Sequence, residues 1–253
     1  MDTAKLYQLL KLLNDCNVDC SYDSFRTDSI LFIEEARQFF SSLDLNLHDI
    51  YFLNCGIIRI INPLELPIKL VKTQNQFYGQ TRFIMTQDEP VFNSIILGDN
   101  LSHMSSCIYV HELIHTQTAY DVRSMDKQEI ISVFMDKLAS LNKNQKTFVI
   151  NQHYRFNMLK DAIYLILFKN LSIEQLKKIK IIIETILESE HLFNKYINGS
   201  NNDKISILNN IQRVFDRKID ILDFLDIIGI NLYNSLKETY ILDNLKLGEK
   251  KLL

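Results

Sequence analysis

Residues 93–120 of the chain read NSIILGDNLSHMSSCIYVHELIHTQTAY. This stretch begins with a short apolar run, passes through the turn sequence Gly-Asp-Asn at 98–100, and continues with a helical pattern. Residues 111–115 within it spell His-Glu-Leu-Ile-His, a complete HExxH pentad. The stretch therefore predicts a strand, a tight turn and a helix over 102–120 that carries the pentad.

The spacing of the pentad is the one that a catalytic metal site needs. His111 and His115 are four residues apart, so on a helix they project from the same face and can bind one Zn²⁺. Glu112 follows the first histidine and can act as general base toward a water molecule activated by that metal. The pentad predicts one zinc ion per chain, with His111 and His115 as ligands and Glu112 as the catalytic base.

Short strands are predicted on the N-terminal side of the pentad. Residues 49–98 contain runs rich in Ile and Phe that are separated by Gly, Pro, Asn and Asp. These runs predict a small mixed sheet of three or four strands, at 50–53, 57–61, 82–86 and 93–97.

Helical periodicity dominates the rest of the chain. The predicted helices lie at 3–14, 29–43 and 102–120, from about 126, from a capping box at 172–175 to about 188, at 203–215, and at 220–240 with a break at Gly229. The fold class expected is α+β and predominantly helical, with a small mixed sheet packed on the pentad helix. We divide the chain into an N-terminal metal-binding part, 1–140, and a helical C-terminal part, 141–253, that forms the other wall of a cleft.

Composition restricts the class of protein. Apolar residues make up 47% and charged residues 23% of the chain, as in a globular protein. The net charge of −3 gives no reason to expect nucleic acid or an anionic membrane as partner. We see no signal peptide or transmembrane segment, and the four Cys form no CxxC pair. These features predict a cytoplasmic protein with reduced thiols.

A strand, a tight turn and a helix with HExxH resemble the zincin metallopeptidases over roughly residues 50–140. The resemblance implies a small sheet that shelters the active-site helix, and hydrolysis of a peptide or protein substrate. It also implies that an edge strand of the sheet pairs with the extended substrate. Residues 82–86 or 93–97 are the candidates for that edge strand, and the sequence does not choose between them.

The third zinc ligand has two candidates. Glu129 follows His115 by fourteen residues and resembles the ligand that a following helix supplies in the gluzincin branch, although the spacing is shorter than usual there. Asp121 follows His115 by six residues and resembles the last ligand of the metzincin pattern. Thr118 stands where metzincins have Gly, and a β-branched residue is poor at positive φ. We therefore prefer Glu129 and keep Asp121 as the alternative.

Further polar residues are candidates for support of the site. Asp136 and Asp126 can orient a ligating imidazole by accepting its second N–H. The zincin resemblance also implies a Tyr or His from the C-terminal helices that stabilises the oxyanion of the reaction. Candidates for that role are His153, Tyr154, Arg155, Tyr164, His191, Tyr233 and Tyr240, of which we select His153, Tyr154 and Tyr164.

The sequence supports one leading function and leaves others open. The leading prediction is a zinc metallopeptidase in which Glu112 takes a proton from the attacking water and passes it to the leaving amine. Alternatives are an inactive zincin-fold binding or regulatory protein, a structural helical interaction protein, and a zinc hydrolase that acts on another amide. Metal content and peptide turnover distinguish these classes.

Overall fold

A computed structural model of the protein describes residues 3–14, 29–75, 77–87 and 89–230. Helices surround a small mixed sheet, so the predicted α+β, predominantly helical class is confirmed. In chain order the elements are α1 (Thr3–Asn14), α2 (Ser29–Ser42), β1 (Ile50–Asn54), β2 (Ile57–Ile61), β3 (Ile68–Val71), β4 (Gly79–Met85), β5 (Pro90–Gly98), α3 (His103–Thr118), α4 (Met125–Lys143), α5 (Gln145–Phe168), α6 (Ile173–Asn198), α7 (Asn201–Phe215) and α8 (Ile221–Ile228).

Strand β5 is the centre of the sheet. Along one edge it pairs antiparallel with β4, and along the other it pairs parallel with β1 near its start and with β3 at its end. Strand β2 continues the sheet as the antiparallel partner of β1. The side chains of β5 are buried almost throughout, as expected for a strand with neighbours on both edges.

The sheet contains one strand more than the sequence predicted. The additional strand is β3, which follows Pro67, is only four residues long and is mostly exposed. Such a short segment shows no regular alternation of apolar and polar residues, which is the pattern by which strands are recognised. Strand β4 also begins at Gly79 rather than at 82. The added residues include Gly79 and Thr81, which lie against the pentad helix.

Helix α3 is buried on nearly every side. It packs against β4 and β5 and is also in contact with α2, α4, α5 and α7. Leu113 and Ile114 within the pentad are fully buried. Burial of side chains of this size stabilises a fold by about 1.5–3 kcal/mol each. The pentad helix is therefore part of the hydrophobic core, which fixes the direction in which its polar side chains project.

The C-terminal helices join the same core. The main hydrophobic cluster includes Leu192 of α6, Ile211 of α7 and Phe224 of α8 together with residues of the sheet. It therefore contains residues from both sides of the division that the sequence analysis placed at residue 140. Helix α4 is tied to α6 by a buried ion pair between Lys137 and Glu190. Burial is the largest influence on Lys137 and lowers its pKa, although Glu190 opposes that change.

A second, smaller cluster lies between α1, α5 and α6. Helix α1 contributes Leu6, Leu9, Leu10 and Leu13, at the spacing that gives a helix one apolar face. Helix α8 ends at Ile228, where Gly229 adopts φ 74° as its C-terminal cap, as the predicted break indicated. Residues 231–240 of the predicted last helix, Tyr233, Tyr240, Cys16 and Cys20 lie outside the described residues. Among the helices that are described, none is long and apolar enough to cross a membrane.

Candidate metal centre

The two histidines of the pentad face the same point. His111 and His115 lie one turn apart on α3, and their Nε2 atoms are 3.1 Å from each other. The rings meet edge to face, with centroids 4.9 Å apart and an interplanar angle of 72°. His111 is buried and His115 is half-buried. This geometry follows from the i, i+4 spacing and from the burial of the rest of the helix.

Glu129 of α4 lies beside both histidines. Its Oε2 is 3.3 Å from Nε2 of His111, and its Oε1 is 3.3 Å from Nε2 of His115. One ligand atom from each of these three residues lies within 4.8 Å of the others. Of the two residues considered as third ligand, Glu129 is therefore the one that the structure brings to the histidines.

Asp121 is used elsewhere in the fold. It is buried at the start of the 3₁₀ turn Val122–Ser124, where Arg123 contacts its Oδ1 at 3.4 Å. Its Oδ2 accepts the backbone N–H of Ile221 at 3.3 Å, at the start of α8. Thr118 remains in α3, so the chain does not make the sharp turn after the pentad that the metzincin pattern requires.

The donor set fits a catalytic zinc ion. Two imidazole nitrogens and one carboxylate are a known protein ligand set for such sites, with a further position open to water or substrate. The Glu129 side chain is 43% exposed, so the cluster opens toward solvent. Three donors on two packed helices, open on one side, match this requirement.

Asp136 lies behind His111 and fixes its orientation. Its Oδ2 is 3.0 Å from Nδ1 of His111, and Asp136 is fully buried. An ionised carboxylate only accepts hydrogen bonds, so Nδ1 carries the proton and Nε2 is directed at Glu129 and His115. Asp136 thus has the position predicted for it, whereas Asp126 is exposed in the first turn of α4.

Helix α5 holds Asp136 in place. Arg155 forms a buried ion pair with its Oδ2, and the side-chain amide of Asn151 donates to its Oδ1 at 3.2 Å. The sequence drew attention to Arg155 only as a donor for the reaction oxyanion, but the structure pairs it with Asp136. Asn151 went unnoticed because nothing in the local sequence distinguishes it from other helical Asn residues.

The charges favour a cation between these side chains. Burial lowers the pKa of His111, but hydrogen bonds to Asp136 and Glu129 outweigh it and raise the pKa to about 10. Partial burial raises the pKa of Glu129, but hydrogen bonds to His111 and His115 bring it well below its usual range. Two carboxylates next to one imidazole stabilise positive charge at this position.

Glu112 is held by strand β4. Oγ1 of Thr81 lies 2.8 Å from Oε2 of Glu112 and 2.9 Å from its carbonyl oxygen. A Cβ atom at Gly79 would lie 2.5 Å from Oε1 of Glu112 and 2.4 Å from Cγ2 of Ile108, so this position has room only for glycine. Neither Gly79 nor Thr81 was predicted, because their contact with α3 joins residues about thirty positions apart.

A cleft of about 310 Å³ contains these side chains. Its lining comes from β4, the pentad turn of α3 and the first turns of α4. Of the two edge-strand candidates, 93–97 lies in β5, which is paired on both edges, whereas 82–86 largely overlaps β4. Among the described strands, β4 has one partner, β5, so its other edge is open.

The residues selected for oxyanion stabilisation are not brought into this cleft. Tyr154 stacks on Phe77 with centroids 3.9 Å apart, and Tyr164 packs on Phe168 at 4.8 Å. His153 and His191 are on α5 and α6 and do not line the cleft either. In the part of the chain that is described, the C-terminal helices support the site from behind, through Arg155 and Asn151.

No protein-family model, curated protein or solved structure matches this chain. The function is therefore argued from the geometry of the site.

Proposed function

We propose that the protein is a zinc-dependent metallopeptidase of the gluzincin-like type. The observation that carries the proposal is the convergence of His111, His115 and Glu129 in one cleft, with Glu112 beside them. In this proposal the three converging residues hold one zinc ion, and Asp136 orients His111. The remaining carboxylate of the pentad, Glu112, is left for chemistry.

Glu112 acts as general base and then as general acid. When bound, zinc activates a water molecule for attack and polarises the scissile carbonyl group. Glu112 removes a proton from the attacking water and delivers it to the leaving amine. The Thr81 hydroxyl donates to the Glu112 carboxylate and limits its rotation. Gly79 leaves this carboxylate the space that a Cβ atom at position 79 would occupy.

The open edge of β4 binds the substrate as an extended peptide. The N–H of Gly98 donates to the carbonyl of Tyr78, which sets the alternation of the antiparallel ladder between β5 and β4. By that alternation, Gln80 bonds to β5 while the backbone groups of Gly79 and Thr81 face the open edge. A peptide paired there lies next to Glu112, and backbone pairing makes few demands on its sequence.

The test is the substitution Glu112→Gln, with zinc content and peptide cleavage measured on the same preparations. Metal analysis should find one zinc per chain in both proteins. Cleavage of a mixed peptide library, followed by mass spectrometry, should fall by about 10²–10⁴-fold in the variant because the general base is lost. His115→Ala is the companion variant and should lose zinc together with activity.

Three outcomes contradict the proposal and separate its alternatives. If the Glu112→Gln variant cleaves peptides at the rate of the wild type, Glu112 is not the general base. Stoichiometric zinc without cleavage of any peptide indicates a binding protein or a hydrolase of another amide. A chain that neither carries nor binds zinc is a structural helical protein in which the pentad has no metal.

The proposal includes a cytoplasmic location. Cys55 and Cys107 are both free thiols, which fits a reducing compartment.

A further inference from the structure

Strand β4 carries a second set of side chains beside the edge that is proposed to bind the substrate. Successive side chains of a strand point to opposite faces of the sheet. Thr81 points toward α3, where its hydroxyl contacts Glu112. Gln80, Arg82 and Ile84 alternate with the residues on that face and are exposed. A peptide that pairs along β4 therefore has its alternate side chains next to these three residues.

The bulge between β4 and β5 does not interrupt this alternation. Arg82 pairs with Ser94, and the next residue of β4 pairs with Phe92. The extra residue is therefore Asn93 of β5, and it is the bulged strand that bends. Arg82 thus stays on the face of the sheet that points away from α3.

The face that carries Arg82 is basic and is not covered by a helix. The described helix that packs closely on β4 and β5 is α3, which lies on the other face. None of the five described strands contains Asp or Glu, whereas Arg59, Lys69 and Arg82 lie in them. Lys69 shares the face of Arg82, because it is in register with Ile96 of β5, which pairs with Gln80. Two cations and no carboxylate of these strands therefore point outward here.

The guanidinium group of Arg82 is available to a partner outside the chain. Its Nε is 3.5 Å from Oε1 of Gln80, and in the described part of the chain it forms no ion pair. A guanidinium group has five N–H donors and can bind a carboxylate through two parallel hydrogen bonds. Residues directly opposite each other on neighbouring strands have Cβ atoms about 4.5–5.5 Å apart. A carboxylate on the peptide residue opposite Arg82 is therefore within reach.

We propose that the substrate has Asp or Glu opposite Arg82, within two residues of the bond that is cleaved. The inference rests on the proposed function and adds a substrate class to it. Thr81 contacts the Glu112 carboxylate, so the attacked carbonyl group lies beside Thr81. Arg82 is the next residue, about 3.3 Å further along the strand. The net charge of −3 disfavours acidic peptides in general, so this preference has to arise from the local charge on β4.

The test compares cleavage of a mixed peptide library by the wild type, Arg82→Gln and Arg82→Glu. In wild-type digests, Asp and Glu should be enriched about two- to fivefold at one position within two residues of the cleaved bond, which is the effect of a cross-strand charge pair. The enrichment should vanish in Arg82→Gln, and Lys and Arg should replace the acidic residues in Arg82→Glu. Arg82 is exposed, so neither change should alter folding or zinc content. Arg59→Gln removes the same charge from the far strand β2 and should keep the enrichment.

A binding measurement separates this inference from the proposed hydrolysis. Peptides of the same library that bind the Glu112→Gln variant are isolated and sequenced, so the result does not require cleavage. Acidic peptides should be enriched, and the enrichment should be absent when Arg82→Gln is added. Such enrichment without cleavage by the wild type would contradict the hydrolase and retain the recognition of acidic peptides by β4. Cleavage with equal use of acidic, neutral and basic residues would leave the hydrolase and overturn the inference.

Other results would also overturn the inference. Acidic enrichment that persists in Arg82→Gln would assign the preference to another cation. Equal loss of enrichment in Arg59→Gln and Arg82→Gln would show an effect of overall charge. A charge on an edge strand can also serve to prevent pairing with another sheet. If that is the only role of Arg82, Arg82→Gln should self-associate in sedimentation measurements while its peptide preference equals that of the wild type.

Discussion

The His111 ring separates two polar environments that contain similar groups and differ in burial. On its cleft side, Nε2 faces His115 and Glu129, whose side chain is 43% exposed. On its buried side, Nδ1 faces Asp136, whose side chain is fully buried and paired with Arg155. The carboxylate in reach of solvent is available to a cation. The carboxylate without access to solvent is neutralised by a permanent positive charge and can only orient the ring.

Glu129→Gln should have the largest effect on the cleft side. Loss of a metal ligand should weaken zinc binding by more than about a hundredfold, beyond the 10–100-fold that outer partners contribute. The measurement is a competition titration with a zinc chelator. Asp121→Asn is the matched control, since it makes the same change in the carboxylate that the metzincin pattern would use. If the control weakens zinc binding and Glu129→Gln does not, the ligand assignment is wrong.

Asp136→Asn should remove the negative charge on the buried side of His111 while leaving the cleft residues in place. Zinc affinity should fall by about 10–100-fold because His111 loses the acceptor that orients it. The free energy of unfolding should also fall by about 3–5 kcal/mol, since Arg155 is left buried without its counter-charge. Chelator competition and urea denaturation measure the two effects. Asp126→Asn, at an exposed position of the same helix, should change neither zinc affinity nor the free energy of unfolding. If Asp126→Asn and Asp136→Asn behave alike, Asp136 does not orient His111.

Thr81→Val should separate chemistry from metal binding within the cleft. The variant keeps the size and branching of the side chain but removes the hydroxyl that donates to Glu112. Peptide cleavage should fall by about tenfold, from the loss of one hydrogen bond to a charged group, at unchanged zinc content. Thr81→Ser should retain activity. Activity in the valine variant equal to that of the wild type would show that Glu112 does not need this contact.

Zinc binding should release protons, since both carboxylates raise the pKa of His111 to about 10. Below that pH the ring is protonated before a cation binds, and one proton must leave. The apparent affinity for zinc should therefore rise by about tenfold per pH unit between pH 6 and 8 for each proton displaced. Calorimetry in buffers of different ionisation enthalpy counts the protons. An affinity that does not change with pH would contradict this electrostatic picture.

The predictions from sequence succeeded where the decisive contacts are local. The i, i+4 spacing of His111 and His115 requires only that α3 be a helix, and the position of Asp136 follows from two turns of α4. The strands at 50–53, 57–61 and 93–97 were found because each is a short run of apolar residues bounded by turn residues, although in β2 only Ile61 is buried. Each of these features depends on periodicity within one element.

The contacts that were missed join distant elements. Thr81 and Gly79 meet Glu112 because β4 packs on α3, which no local pattern encodes. Arg155 was noticed for its chemistry but not for its partner, since the packing of α5 on α4 decides which carboxylate it meets. Strand β3 is short and mostly exposed, so its sequence does not alternate between buried apolar and exposed polar residues.

The adjacent charged residues Asp136 and Lys137 limit the insertions and deletions that helix α4 can tolerate. Asp136 binds Arg155 of α5, and the next residue, Lys137, binds Glu190 of α6. These pairs point in different directions and so fix the rotation of α4 about its own axis. Glu129 lies seven residues before Asp136, which is close to two full turns on the same helix face. A single residue inserted between them would rotate one of the two by about 100° away from His111. Because residues 130–136 are all buried as well, the eight-residue stretch from Glu129 to Asp136 should tolerate no change in length and few changes of side chain.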